Sequence, residues 1–151
     1  MKITVEINNL TKSPVKKAFF QAVAKKTLEN SGYKFLNPPA SGKNISVSLA
    51  IVSKAEIKKL NKTYRKKNET TDVLSFAEYK SSKALKRTKS KEIFLGELIL
   101  CYADIKEYSK KRGLVLKREL AVVFAHGILH LLGFPHGKEM LEIQDKAVNA
   151  Q

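Results

Sequence analysis

The stretch that most constrains this chain is HGILHLLGFPH at residues 126–136, which holds all three histidines of the sequence. His126 and His130 are four residues apart, so on a helix both rings share one face, one turn from each other. Two imidazoles at that spacing grip a single metal ion. Gly133 can take positive φ and end the helix, and Pro135 prevents it from resuming at once. The chain therefore turns back, and His136 swings round as a third ligand. A lone histidine on an apolar helix is usually a satisfied core or boundary residue. Three at ligand spacing, with a glycine at the turn, point instead to one shared ion per chain. Zinc is expected first, because imidazole ligands and an open fourth position suit it, with nickel or copper as alternatives. Bound Zn²⁺ lowers the pKa of its water to about 7, so hydroxide becomes available at neutral pH.

The same ligand spacing occurs in the metzincin proteases, whose general base is a Glu beside the first histidine. Gly127 holds that position here and can take no proton, which argues against peptidase chemistry.

With 151 residues, the sequence fits one domain, residues 1–151, large enough for its own hydrophobic core. It has no apolar run long enough to span a bilayer, and its first residues, MKITVEINNL, lack the h-region of a signal peptide. The single cysteine, Cys101, has no internal disulfide partner. Together these features lead us to expect a cytoplasmic protein without a membrane role. Lys and Arg number 29 against 14 Asp and Glu, a formal net charge of +15. Such an excess suits a polyanionic partner, although a lysine-rich proteome produces the same bias without any binding role.

Alternation over 2–8 predicts a strand. Ser13 and Pro14 predict a helix N-cap and first turn, with the helix running to about Ser31 and ending at Gly32. Residues 33–44, with Pro38, Pro39 and Gly42, predict a surface loop. A second strand is expected over 45–52, then a helix over about 54–65 opened by a Ser53/Glu56 capping box. A short strand follows at 73–77. The polar, basic run 78–91 shows no periodicity and predicts a mobile loop. Strand 93–101 has Gly96 at a close backbone approach. Helices are expected at 103–112, 116–132 and 138–149. The one at 116–132 is apolar almost all round after Leu120 and is thus a buried, central helix carrying the metal ligands. The expected fold is α+β: a single domain with a mixed, roughly four-stranded sheet packed with helices around that helix.

Two blocks carry a family resemblance. LNKTYRKKNETTDVLSF at 60–76 resembles the pattern L-N-x-x-Y-R followed by T-D-V-L-S-F, and ELAVVFAHGILHLLGFPH at 119–136 resembles H-G-x-L-H-L-x-G-x-D-H. LGEL at 95–98, Met140 and Glu142 add weaker matches. These are motifs of the YbeY family of bacterial endoribonucleases. The resemblance implies metal-dependent, single-strand-directed cleavage of RNA in rRNA maturation, notably at the 16S rRNA 3′ end, and in ribosome quality control. It also implies the ribosome or small-subunit proteins as partners, with no small-molecule cofactor. Two positions depart from the pattern: Pro135 stands where the family has Asp, and Glu97 where it has Asp.

His126, His130 and His136 are the expected metal ligands, and Arg65 and His126 the expected catalytic residues. Arg65 suits a phosphate or transition-state contact because a guanidinium forks onto two phosphate oxygens and stays charged. The resemblance places Asp72 to Ser75 along the cleft edge. No general base is assigned: Glu119, Glu97 and Asp104 are the candidates, and a metal hydroxide or the ribose 2′-OH can dispense with one. The competing function is a non-catalytic RNA- or ribosome-binding factor with a structural metal, which would need a fourth protein ligand such as Cys101 or a carboxylate.

Overall fold

The alternating segments form the expected strands, and the apolar stripes form helices on both faces of the sheet they make. The computed structural model describes residues 2–33 and 42–149. In chain order the elements are β1 (Lys2–Asn9), α1 (Lys17–Asn30), β2 (Asn44–Ile51), α2 (Lys54–Arg65), β3 (Val73–Ala77), α3 (Ser82–Arg87), β4 (Glu92–Leu100), α4 (Tyr102–Arg112), α5 (Leu116–Leu131) and α6 (Lys138–Asn149). The sheet runs β1-β2-β4-β3, with β1, β2 and β4 parallel and β3 antiparallel on the edge. This is the mixed four-stranded α+β fold expected from the sequence.

Each strand sends alternate side chains to opposite faces. Val5, Val47, Leu49, Leu98 and Leu100 join the core that α1 and α5 complete, with Phe20 of α1 set edge-on to Phe124 of α5 at 4.9 Å. Ile99 and Leu74 point the other way and pack with Ile57 of α2 and Cys101. Within the larger core, α5 packs against α1, α4, α6, β3 and β4. Few positions on it face water, which explains why it is apolar almost all round. No helix among the described residues is long and apolar enough to cross a membrane.

Register between β2 and β4 jumps from Ser46–Phe94 to Ser48–Glu97, so β4 carries one extra residue, a bulge at Leu95 and Gly96. Gly96 has φ +139°, and a Cβ there would lie 2.2 Å from the Phe76 carbonyl oxygen of β3. The close backbone approach expected at this glycine is therefore real, and it draws the edge strand in against β4.

Two expectations need correcting. Helix α1 begins at Lys17, not at Ser13 and Pro14, and its N-cap Lys16 makes no side-chain capping bond. The Ser13 hydroxyl lies 2.6 Å from that of Thr11, and the Asn9 amide donates to the Ser13 carbonyl, so the serine belongs to a turn instead of a cap. The second correction is that residues 78–91 contain α3. Ser81 caps it by accepting from the Ala84 amide at 3.1 Å, and Leu85 is wholly buried. With one buried apolar side chain in six residues, no period could announce this helix. Ser53 does cap α2 by accepting from the Glu56 amide at 3.2 Å. The expected Pro38–Pro39 loop lies outside the described residues.

Gly96→Ala would place a methyl against a backbone oxygen in a conformation closed to L-residues. It should cost about 3 kcal/mol or more in urea unfolding, and loosen β3 first in hydrogen exchange.

Candidate metal centre and its cleft

The i, i+4 geometry of α5 brings His126 and His130 onto one face with ring centroids 4.5 Å apart. The helix then closes with a Schellman pattern: the Gly133 amide donates to the His130 carbonyl and the Phe134 amide to the Leu129 carbonyl, both at 3.0 Å. Gly133 takes φ +89°, the left-handed conformation this closure requires. Phe134 is anchored by stacking on Tyr33, whose hydroxyl donates to the Leu132 carbonyl at 2.8 Å. The turn returns His136 to within 4.5 Å of His130 and 5.2 Å of His126, centroid to centroid. One nitrogen from each ring lies within 4.8 Å of the others.

These donors suit a metal. The Nε2 atoms of His126 and His130 are 2.9 Å apart, and two lone pairs that close repel unless a proton or a cation sits between them. Gln144 on α6 faces the Nδ1 of His126, its Oε1 at 3.1 Å, so that Nδ1–H donates to it and Nε2 is left as the ligand atom. His130 has its pKa lowered from 6.5 to about 4, first by burial and then by His126, His136 and Arg65. It is a neutral donor at physiological pH. Among the described residues no carboxylate or thiol joins the three nitrogens. Cys101 is buried in the smaller core with Ile57 and Ile99 and does not serve as a fourth ligand.

The histidines open onto a cleft of about 510 Å³ that follows the edge strand β3 from Val73 to Ala77. Tyr64 and Arg65, the last residues of α2, also line it. Lys66 then takes φ 62° and ends the helix, fixing where Arg65 emerges. Asp72 to Ser75 line the cleft, where the resemblance places them, and Thr71 lines it too. The structure thus brings together Arg65 and the three histidines from segments 61 residues apart in sequence, taking Arg65 to His126.

The candidate bases fare differently. Glu119 and Asp104 line a neighbouring cleft, and Glu97 lies on the sheet face away from α5, accepting from the Ser48 hydroxyl at 3.3 Å. Asp72 is the one carboxylate among the residues lining the histidine cleft. Burial, the largest influence, raises its pKa above the usual carboxylate range, the Asp104 charge adds to this, and the Val73 amide opposes it. Sequence reasoning missed Gln144 altogether. Its one signal is a polar side chain on the buried stripe of Met140, Ile143, Ala147 and Val148. At position 127, a Cβ would meet Leu98 Cδ2 at 2.9 Å, so the side lacking a Glu faces the sheet and not the cleft.

The family model described as Endoribonuclease YbeY matches residues 6–150. The chain belongs to the YbeY family. Among curated YbeY proteins, that of Buchnera aphidicola subsp. Baizongia pistaciae is 41% identical over 93 residues, covering 62% of this chain and 56% of the relative. That of Caldicellulosiruptor bescii is 40% identical over 100 residues, covering 64% of this chain and 63% of the relative. The matched stretch therefore spans less than two thirds of these relatives. For the Pelagibacter ubique YbeY protein it is longer, 35% identical over 122 residues, covering 81% of this chain and 72% of the relative. The solution structure of TM1509 from Thermotoga maritima has the same fold, with a TM-score of 0.61 and 26% identity, covering 97% of this chain and 87% of that one.

Two outcomes check this geometry. Gln144→Ala should weaken divalent-metal affinity about 10- to 100-fold without moving the ligands, read by competition with a chromogenic chelator. In metal-stripped protein, unfolded His130 binds its proton near pH 6.5 and the folded residue only near pH 4. The unfolded state binds more protons in that window, so stability should fall as pH drops from 6.5 through 4. Denaturant melts should show a shallower fall in His130→Ala.

Proposed function

We propose that this YbeY-family chain is a metal-dependent endoribonuclease cutting single-stranded RNA, with zinc as its ion. By family resemblance, its substrates are ribosomal RNA precursors, notably the 16S rRNA 3′ end, and it acts in ribosome quality control in the cytoplasm beside small-subunit proteins. The observation that carries the reading is the convergence of three imidazole nitrogens, with no further protein donor among the described residues, in a cleft faced by Arg65. A net charge of +15 suits a polyanionic substrate.

A divalent ion held by His126, His130 and His136 would supply Lewis acidity toward water and toward a phosphoryl oxygen. Gln144 holds the His126 tautomer that presents Nε2. Arg65 forks onto non-bridging phosphate oxygens and neutralises the charge that grows on them as the new P–O bond forms. Asp72, made more basic by its burial, accepts the proton released by the attacking oxygen, while the scissile P–O bond breaks and its leaving oxygen takes a proton from water. The structural-metal alternative needs a fourth protein ligand, and among the described residues none joins the cluster.

His126→Ala and Arg65→Ala should each lower cleavage of single-stranded RNA by at least about 100-fold, and Asp72→Asn should lower kcat more than it raises KM. Chelation should abolish turnover and divalent metal restore it. Equal rates in wild type and His126→Ala, purified in parallel, would overturn the reading.

A further inference from the structure

We infer that Tyr64, with Phe76 beneath it, is a stacking site for one unpaired nucleobase, next to the phosphate that Arg65 meets. This rests on the ribonuclease reading and adds what that reading lacks, a physical origin for single-strand preference.

Tyr64 is 62% exposed, among the most exposed large apolar side chains described. Isolated exposure of this kind is ordinary on a protein surface. Leu10, Val115 and Leu141 are exposed too, but they do not line the histidine cleft, whereas Tyr64 does. Its ring is also held: it meets Phe76 of β3 edge to face, with centroids 5.2 Å apart and planes at 76°. That arrangement suits the ring quadrupoles and favours one orientation of the phenol. A ring so biased loses less freedom when a flat ligand settles on it.

The surroundings select the ligand. Arg65 is the next residue in the chain and lines the same cleft, and Lys62, Lys66 and Lys67, close by in sequence, are exposed. An aromatic face beside a cation is the combination that binds single-stranded nucleic acid: the cation meets a phosphate and the ring takes a base. A proline-rich peptide also packs on tyrosine, but the neighbouring Arg65 guanidinium offers it nothing in return. Every nucleobase has a π-face, so the site should tolerate sequence. A base inside a duplex already has both faces covered by its neighbours and cannot reach Tyr64. Selection for unpaired nucleotides follows from this without any base-edge hydrogen bond.

The test uses the metal-loaded, full-length protein with three substrates: a single-stranded oligoribonucleotide, the same sequence in a duplex, and a set of single strands each carrying one abasic nucleotide. Tyr64→Ala should raise KM for the plain single strand on the order of 10- to 100-fold, with kcat within a few-fold of wild type. Tyr64→Phe and Tyr64→Trp should stay near wild type, since each keeps a ring. One abasic position near the cut should raise the wild-type KM to the level of Tyr64→Ala while leaving the variant unchanged. Unchanged KM in Tyr64→Ala, or an equal loss on every abasic substrate, would overturn the stacking site. So would failure of Tyr64→Phe, which would assign the effect to the hydroxyl. Should wild type bind single strands in a Tyr64-dependent way yet cut none, the ribonuclease reading fails and the stacking site stands. Single-strand cleavage with no dependence on Tyr64 gives the reverse.

Discussion

Burying α5 between the sheet and three other helices leaves one direction in which its histidines can point. Ala125, Gly127, Ile128 and Leu129 are occupied by packing, and a Cβ at position 127 would crowd the Leu98 methyls at 2.9 and 3.0 Å. His126 and His130 are left half-buried, facing the gap beyond the edge strand β3. An imidazole pinned in such a position must satisfy both nitrogens or forfeit solvation. At His126, Gln144 satisfies one nitrogen and the partner ring or an ion the other. The site is therefore a consequence of the way the core is packed.

Around that helix, each wall of the cleft depends on a backbone device. The bulge at Gly96 draws β3 against β4, and β3 is the strand along which the cleft runs. Gly133 turns the chain so that His136 can return, and it leaves room for α3, since a Cβ there would lie 2.7 Å from the Ser82 amide nitrogen. Lys66, in the left-handed conformation, stops α2 so that Tyr64 and Arg65 stand at its end. Asn61 secures the loop that follows by donating to the Glu69 carbonyl at 2.9 Å. The three histidines and Arg65 thus come from segments far apart in sequence but reach one opening.

How much of this is legible in the sequence depends on whether a feature is local. The ligand trio can be read because its geometry lies within eleven residues, a helical spacing closed by a glycine. Gly96 stands out because a glycine weakens the interior of an apolar strand unless a bulge or a close backbone approach requires it. Helix α3 cannot be read, because one buried leucine in six residues makes no pattern and its docking depends on Tyr33 and Gly133. The start of α1 is ambiguous because Ser13 and Pro14 suit a turn as well as a cap. Glu119, Glu97 and Asp104, the candidates among which the sequence assigns no base, reach other surfaces once α5, β4 and α4 are in their packed positions. The resemblance places Asp72 on the cleft edge, but its burial comes from tertiary contacts, and Gln144 reaches His126 only through the packing of α6 on α5.

The central claim is that three imidazoles hold a cation and leave part of its coordination sphere to solvent. X-ray absorption spectroscopy on the zinc-loaded protein tests it most directly. Three imidazole nitrogens and at least one oxygen from water are expected in the first coordination sphere. A sphere completed by a sulfur or a protein carboxylate, or one holding fewer than three imidazoles, would contradict it.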